Sequence, residues 1–363
     1  MVPAIAVADA LRAEGAEVSF IGGGRAEAQL VPAAGFELHA IAVEGLSRSN
    51  PLRALRALVL AALAVPRSWA LLRRLRPDAV MGGGGYVAGP VGVAALSLRI
   101  PLVLTEADSH LGLTNRLLAP FARRVCLAFA IRGRDGERYR VTGRPIPPSA
   151  DDRVTARERL GLAPEERCVL VFGGSLGARS INLAAVEAFA AVLAPAPATA
   201  AASASVSPQA PASTPAEAPT RVLHISGRRD HPELAARELP PGYDLREYLD
   251  LADFAQALAA ADLVVARSGG SVFEIAAHGL PAILVPYPHA SADHQTANAR
   301  WMADAGAAVL IADEELSADR LREEVAALLA DRRRLGDMAA ASASLARPDA
   351  ARDVAHELLL AAS

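Results

Sequence analysis

Val169-Leu-Val-Phe-Gly-Gly-Ser-Leu-Gly-Ala-Arg-Ser-Ile-Asn182 is the stretch whose reading decides the fold. Four apolar β-formers, Val169 to Phe172, run straight into Gly173-Gly174-Ser175-Leu176-Gly177. A helix-period segment follows, from Ala178 to about Leu193. An unbroken apolar run marks a strand buried on both faces of a parallel sheet. Glycines after such a strand let a ligand approach the backbone closely. Free N–H groups at the next helix start, with the helix dipole, make an anion site. A phosphate-bearing ligand is the first expectation here; the plainer alternative is a tight strand-to-helix turn. A P-loop is excluded, because it needs Gly-Lys-Ser/Thr and the chain has no lysine. The G-x-G-x-x-G dinucleotide fingerprint is also absent from the stretch.

The chain has 363 residues, enough for two domains with a core each. It is 52% hydrophobic but only 4% aromatic, so the cores are built from Ala, Leu and Val. All 37 basic residues are arginine, which rules out Schiff-base lysine chemistry. A net charge of −3 gives no reason to expect nucleic-acid binding. Cys126 and Cys168 lie in or beside apolar strands and read as small buried hydrophobes, in keeping with a reducing, cytoplasmic setting. The N-terminus has no basic n-region and meets Asp9 too early for a signal peptide. The longest apolar run, Ala57 to Val65, ends at Pro66 and is too short to span a bilayer.

Taken in order, Val2 to Arg12 reads as a helix, Glu17 to Ile21 as a strand, Ala26 to Ala33 as a helix and Leu38 to Val43 as a strand. Opening on a helix is odd for a doubly wound unit, which normally begins with a strand and a Gly-rich loop. A further central strand in front of Met1 is therefore expected. Leu52 to Leu75 is helical, interrupted at Pro66, and places Arg53, Arg56, Arg67, Arg73, Arg74 and Arg76 beside Leu, Val and Trp69. That pattern fits either a basic amphipathic surface on an anionic membrane or a sheet-covering helix pair with its arginines in water. The strand Asp78 to Met81 ends in Gly82-Gly-Gly-Gly-Tyr-Val-Ala-Gly-Pro90, more glycine than a turn requires. Pro101 to Leu104 is the next strand, with Thr105-Glu106-Ala107-Asp108 at its carboxyl end. Ligands of open α/β sheets bind at that end, so Glu106 and Asp108 are candidates for acid/base work or, equally, for helix capping.

The fold class follows as α/β, two Rossmann-like doubly wound domains facing a cleft. The first spans residues 1–147, ending at the Pro-rich linker Gly143 to Pro148, and lacks its first strand. The second spans 148–348, and a C-terminal helix covers 349–363. Residues 194–220 are Ala/Pro/Ser-rich with few large apolar side chains and read as a disordered insertion. In the second domain the strand ends carry Ser175 and Gly177, Arg267-Ser-Gly-Gly-Ser-Val-Phe-Glu274, and Asp293-His-Gln-Thr-Ala-Asn298. A Gly-rich helix start for diphosphate, a first-turn carboxylate for a ribose diol and an amide for a sugar describe a nucleotide-sugar site.

These motifs, with Gly84-Gly-Tyr-Val-Ala-Gly-Pro90 upstream, resemble the MurG-type glycosyltransferase family over nearly the whole chain except Ala194 to Thr220. The resemblance implies an inverting GT-B enzyme that moves N-acetylglucosamine from its UDP derivative onto undecaprenyl-diphospho-N-acetylmuramoyl-pentapeptide, converting lipid I to lipid II in peptidoglycan synthesis. It implies peripheral attachment to the cytoplasmic face of the membrane, an anionic surface, which favours the amphipathic reading of Leu52–Arg76. No cofactor and no metal are expected, since the developing diphosphate charge falls to fixed N–H groups and the helix dipole. The donor set implied is Gly174, Ser175, Gly177 and Arg179 for diphosphate, Ser268, Gly269, Gly270, Ser271 and Glu274 for uridine and ribose, and His294 and Gln295 for the sugar. The acceptor set is Gly84, Gly85, Tyr86 and Gly89, with Glu106 or Asp108 as general base.

Three departures from the family pattern stand out. Thr105-Glu106-Ala107-Asp108 replaces a His-Glu-Gln-Asn block, retaining only Glu106, and Arg144-Pro145-Ile146-Pro147 stands where an Asn-Pro-Arg sequence is expected. Met1 occupies the place of the histidine that ends the family's first Gly-rich loop. The rival readings are another UDP-sugar enzyme of this architecture, such as a 2-epimerase, and a non-catalytic UDP-sugar-binding protein. Product analysis and turnover separate them.

Overall fold

The computed structural model describes residues 1–24, 27–43, 51–147, 152–174, 176–193, 219–290 and 293–363. The chain divides into two compact units, Met1–Pro148 with Arg347–Ser363, and Ser149–Ala346. The expected insertion lies outside the described residues up to position 218, while Thr220 already opens a strand.

The first unit begins α1 (Val2–Ala13), β1 (Ser19–Gly22), α2 (Glu27–Ala33) and β2 (Glu37–Ala40). It continues with α3 (Pro51–Leu75), β3 (Val80–Gly82), α4 (Gly85–Ser97), β4 (Leu102–Glu106) and α5 (Leu113–Leu118), then β5 (Arg124–Leu127) and β6 (Tyr139–Val141). Its strands form two parallel sheets, β1-β2 and β3-β4-β5-β6. Helix α4 packs on β1 as well as on β3 and β4, so one helix covers both sheets. A strand between β1 and β3 would join them into one doubly wound sheet. None stands there among the described residues.

α3 is one continuous helix, which corrects the expected break at Pro66. Pro66 is exposed, so the carbonyl that loses its N–H partner can turn to water. Continuity also corrects the membrane reading: Leu55–Leu75 is long and apolar enough, by length and composition, to cross a bilayer. The helix nevertheless has a buried face. Ala57, Ala64, Ser68 and Leu72 are buried, and α3 packs against α4. Helical spacing puts Leu52, Leu55, Val59 and Leu63 on the opposite stripe, all exposed, with Arg56, Arg67 and Arg74 exposed alongside. Arg73 stacks over the Trp69 ring at 4.7 Å. The side chain of Arg53 lies outside the described residues.

The second unit runs α6 (Arg153–Arg159), β7 (Arg167–Phe172), α7 (Arg179–Val192), β8 (Thr220–Ile225), α8 (His231–Ala235) and β9 (Tyr243–Arg246). Then come α9 (Leu251–Ala260), β10 (Leu263–Ala266), α10 (Val272–Ala277), β11 (Ala282–Leu284), α11 (His294–Asp304), β12 (Ala308–Leu310), α12 (Ala318–Ala330) and α13 (Arg332–Ser344). The six strands are all parallel, in the order β12-β11-β10-β7-β8-β9. With β7 counted as first, this is the doubly wound order 3-2-1-4-5-6. β7 and β10 are its centre: Cys168 to Phe172 and Leu263 to Ala266 are buried throughout, as their unbroken apolar sequences require.

The last helix, α14 (Ala350–Ala362), belongs to the first unit, where it packs on α1 and β4. Its Glu357, 5% exposed, receives Arg124 Nε at 2.6 Å and Arg140 Nε at 2.9 Å, one from each of β5 and β6. Cys126 and Cys168 are free and buried, and burial pushes both thiols up to about 12, so neither is a nucleophile near neutral pH.

Candidate functional site

In the second unit the strand order reverses between β7 and β10. Loops leaving the carboxyl ends of two such neighbours diverge to opposite faces of the sheet and open a crevice. Gly173–Gly177 leaves β7 at that point and Arg267–Ser271 leaves β10.

The glycines of the first loop do two different things. A Cβ on Gly177 (φ 84°) would lie 2.1 Å from the carbonyl oxygen of Ser226, so only a glycine lets the two backbones touch. Gly173 is closed in the same way by Ala178. Gly174 (φ 91°) faces open space and is the place where the turn can meet a ligand. The turn is closed by Gly177 N–H donating to Gly174 O at 2.9 Å. It delivers the chain into α7, whose first amides have no partner within the helix. Ser175 lies outside the described residues.

Behind the turn runs a buried polar chain that sequence reading did not anticipate. Asn182 Nδ2 donates to Ser226 O at 2.8 Å and to Asp230 Oδ2 at 2.9 Å. Its Oδ1 lies 3.0 Å from His224 Nε2, and His224 Nδ1 lies 2.7 Å from the Tyr243 hydroxyl. Burial, with the nearby charge of His231, holds the His224 imidazole down at about 4. Burial alone would raise the Asp230 carboxyl, but hydrogen bonds from Arg229 and Asn182 outweigh it and keep it below its ordinary range. Arg179, the first residue of α7, is held in a two-point ion pair by Glu233 at 2.7 and 3.3 Å.

The loop after β10 is pinned as firmly. Arg267 is 9% exposed and donates to Val285 O, Pro286 O and Asp313 Oδ1, while its other nitrogen reaches Ser180 Oγ on α7. Ser268, fully buried, donates to Gln295 O at 2.7 Å, and Asn298 Nδ2 returns a bond to Ser268 O at 3.0 Å. Gln295 Oε1 accepts from Tyr287 N at 3.0 Å. Ser268, Gly269, Gln295 and Asn298 are thus brought together, and His294 begins the same helix as Gln295. Glu274 stands in the first turn of α10, half-buried, after Gly270 and Ser271. Sequence reading assigned no role to Arg267 or Asn298. A charge ending an apolar strand, as in Leu263-Val-Val-Ala-Arg267, is the signal that could have found the first.

In the first unit, Gly84 caps α4 and Gly85 opens it; Tyr86 and Gly89 follow in its first turns. A Cβ on Gly85 would meet nothing within 4 Å, so its backbone is accessible. Thr114 Oγ1 donates to Gly85 O at 2.9 Å and Asn115 stands against Gly84, which ties this glycine loop to α5. Glu106 ends β4, and both of its oxygens are occupied. Oε1 accepts from Asp108 N at 3.2 Å, and Oε2 from Gly112 N at 2.8 Å and Asn115 Nδ2 at 3.0 Å. That geometry orders the 107–112 loop. The Asp108 carboxylate is half-buried and has no hydrogen bond among the described residues.

The family model of the glycosyltransferase family 28 N-terminal domain matches residues 1–127, and that of the family 28 C-terminal domain matches 168–354. The chain is 40% identical over 363 residues to the UDP-N-acetylglucosamine–N-acetylmuramyl-(pentapeptide) pyrophosphoryl-undecaprenol N-acetylglucosamine transferase of Moorella thermoacetica, covering 96% of this chain and 92% of that protein. It is 42% identical to the enzyme of the same name from Rubrobacter xylanophilus, with 98% of each covered. Among solved structures, Acinetobacter baumannii MurG matches with a TM-score of 0.69 at 28% identity, over 99% of this chain and 95% of that one. A Neisseria meningitidis UDP-GlcNAc 2-epimerase matches with a TM-score of 0.64 at 14% identity, over 99% and 96% of the two chains, a likeness of fold alone.

The buried imidazole makes stability depend on pH. An unfolded histidine binds its proton near pH 6.5, whereas folded His224 does so only near 4. Between those values the unfolded chain holds the extra proton, so stability is full above pH 6.5 and falls as pH drops towards 4. By pH 4.5 the loss from this one group is roughly 2–3 kcal/mol. Urea melts at pH 7 and 4.5 are expected to show the parent losing about that much more than His224→Gln; equal losses would remove His224 as the cause.

Proposed function

The chain belongs to glycosyltransferase family 28, and from that membership we propose that it transfers N-acetylglucosamine from UDP-N-acetylglucosamine to undecaprenyl-diphospho-N-acetylmuramoyl-pentapeptide, the lipid I to lipid II step of peptidoglycan synthesis. The observation that carries the reading is that the open Gly174 turn and the loop leading to the Ser268–Gln295–Asn298 cluster leave the carboxyl ends of neighbouring strands, β7 and β10, at the reversal of strand order.

In this reading the donor diphosphate lies on Gly174, Ser175, Gly177 and the first amides of α7, with Arg179 released from Glu233 to join them. Ser268 to Ser271 and Glu274 take uridine and ribose, and His294 and Gln295 take the sugar hydroxyls. The acceptor diphosphate lies on the Gly84–Gly85 end of α4, with Tyr86 and Gly89. The acceptor 4-hydroxyl attacks the anomeric carbon, the bond to UDP breaks and the configuration inverts. The departing diphosphate is stabilised by N–H groups and a helix dipole already aimed at it. We assign the proton to Asp108, whose carboxylate accepts no hydrogen bond among the described residues, and give Glu106 the task of holding Asp108's loop. The exposed Leu52–Leu63 stripe of α3, flanked by arginines, suits a helix lying in the surface of an anionic membrane, where the lipid acceptor resides.

The test is a transfer assay with UDP-N-acetylglucosamine and a lipid I analogue, with the product identified. Formation of N-acetylmannosamine instead would favour the epimerase reading, and binding without turnover a non-catalytic protein. Asp108→Asn is expected to lower kcat about 10²–10⁴-fold with KM for the donor little changed; a kcat within a few-fold of the parent would move the base elsewhere. Glu274→Ala should weaken UDP by about 1.5–3 kcal/mol, roughly 10- to 150-fold, in calorimetry. An unchanged dissociation constant removes Glu274 from the ribose. Leu55→Asp with Leu63→Asp should abolish co-sedimentation with anionic vesicles and leave UDP binding intact. Undiminished sedimentation would assign membrane attachment to another surface.

A further inference from the structure

Asn182 sits in the first turn of α7, fully buried, and its amide orientation is determined by what surrounds it. Two acceptors, Ser226 O and Asp230 Oδ2, face one end, which must therefore be the NH₂ group. The oxygen at the other end accepts, so His224 Nε2 carries the proton. His224 Nδ1 is then an acceptor and takes the Tyr243 hydroxyl proton. One neutral tautomer satisfies every group. A flipped amide would set an oxygen against two acceptors, and the opposite neutral tautomer would set a bare Nε2 against the Asn182 oxygen.

What this chain holds is the carbonyl of Ser226, the same atom against which Gly177 packs. The adjacent Gly227 is equally close: a Cβ there would lie 2.2 Å from Gly177 N. The spacing between the β7 turn and the β8 turn is therefore set by one side-chain amide on α7 and one imidazole on β8. The geometry points to Asn182, oriented by neutral His224, as a positioning residue for the donor diphosphate: it fixes where the Gly174–Gly177 turn and the first amides of α7 stand, and so where phosphate oxygens are received. This deepens the donor reading above and rests on it. Both residues act through backbone groups rather than on the reacting atoms.

A network that served only the core would affect the whole site alike, whereas a positioning network affects the phosphates. The experiment titrates UDP, and separately uridine, into the full chain in the cold, with circular dichroism confirming that each variant is folded. Asn182→Ala and His224→Phe are expected to weaken UDP about tenfold or more, the scale of one lost hydrogen bond to a charged group, and to leave uridine within about twofold. His224→Gln, whose amide N–H can still reach Asn182, should restore UDP to within about threefold of the parent. Tyr243→Phe removes a single oxygen and keeps the test open should the larger changes fail to fold; it is expected to weaken UDP about threefold. Folded variants that bind UDP as the parent does, or that lose UDP and uridine equally, overturn the positioning role. A parent chain that binds neither UDP nor UDP-N-acetylglucosamine overturns the donor reading and this inference with it, an outcome visible before any variant is made.

Discussion

The contact on which the second unit depends is the touching of two backbones, Gly177 against Ser226 and Gly227, with no room for a side chain on either glycine. Parallel neighbours β7 and β8 can bring their exit turns this close only if both turns are bare. Once they are, α7 starts just beyond the end of β7, beside the β7–β10 reversal. Gly174 remains the open corner of that arrangement. The same local chemistry therefore serves packing at one glycine and access at its neighbour.

Around this contact, burial is reconciled with charge by surrounding buried ionic groups with partners. Arg267 is the clearest case. A guanidinium nearly out of water would be costly alone, yet its donors reach two carbonyls just after β11, a carboxylate just after β12 and a hydroxyl on α7. In the first unit Glu357 does the converse, a buried carboxylate receiving two arginines. Such pairs add little net stability compared with apolar contacts, but each forbids the alternatives that would leave a charge unpaired. In a core built largely from Ala, Leu and Val, which pack in many ways, that selectivity falls to the polar pins.

Glu106 and Asp108 show how position along a strand end separates roles. They are two residues apart, yet one carboxylate accepts three hydrogen bonds and the other none among the described residues. A bare pair of acids in sequence carries no information on which oxygens will find donors, because Gly112 and Asn115 reach Glu106 only after the loop has folded back. α3 shows the same limit at larger scale. Its apolar residues are evident in the chain, but which of them face α4 and which remain exposed depends on the angle at which the helix lies.

By itself the sequence determined the fold class and the places of the main loops. Unbroken apolar runs ending in small residues read as strands buried on both faces, and Gly173 to Gly177, Ser268 to Ser271 and Gly84 to Gly89 marked the turns after them, because short-range constraint is written in residue type. Only the tertiary structure decided the order of the strands, the continuity of α3 through Pro66, the membership of α14 in the first unit, and the partners of Asn182, His224, Arg267 and Glu357. Those partners stand 42 residues apart for Asn182 and His224, 46 for Arg267 and Asp313 and 233 for Arg124 and Glu357. No local pattern spans such separations. A polar side chain in an apolar segment announces that it must be satisfied, and the fold alone settles by what.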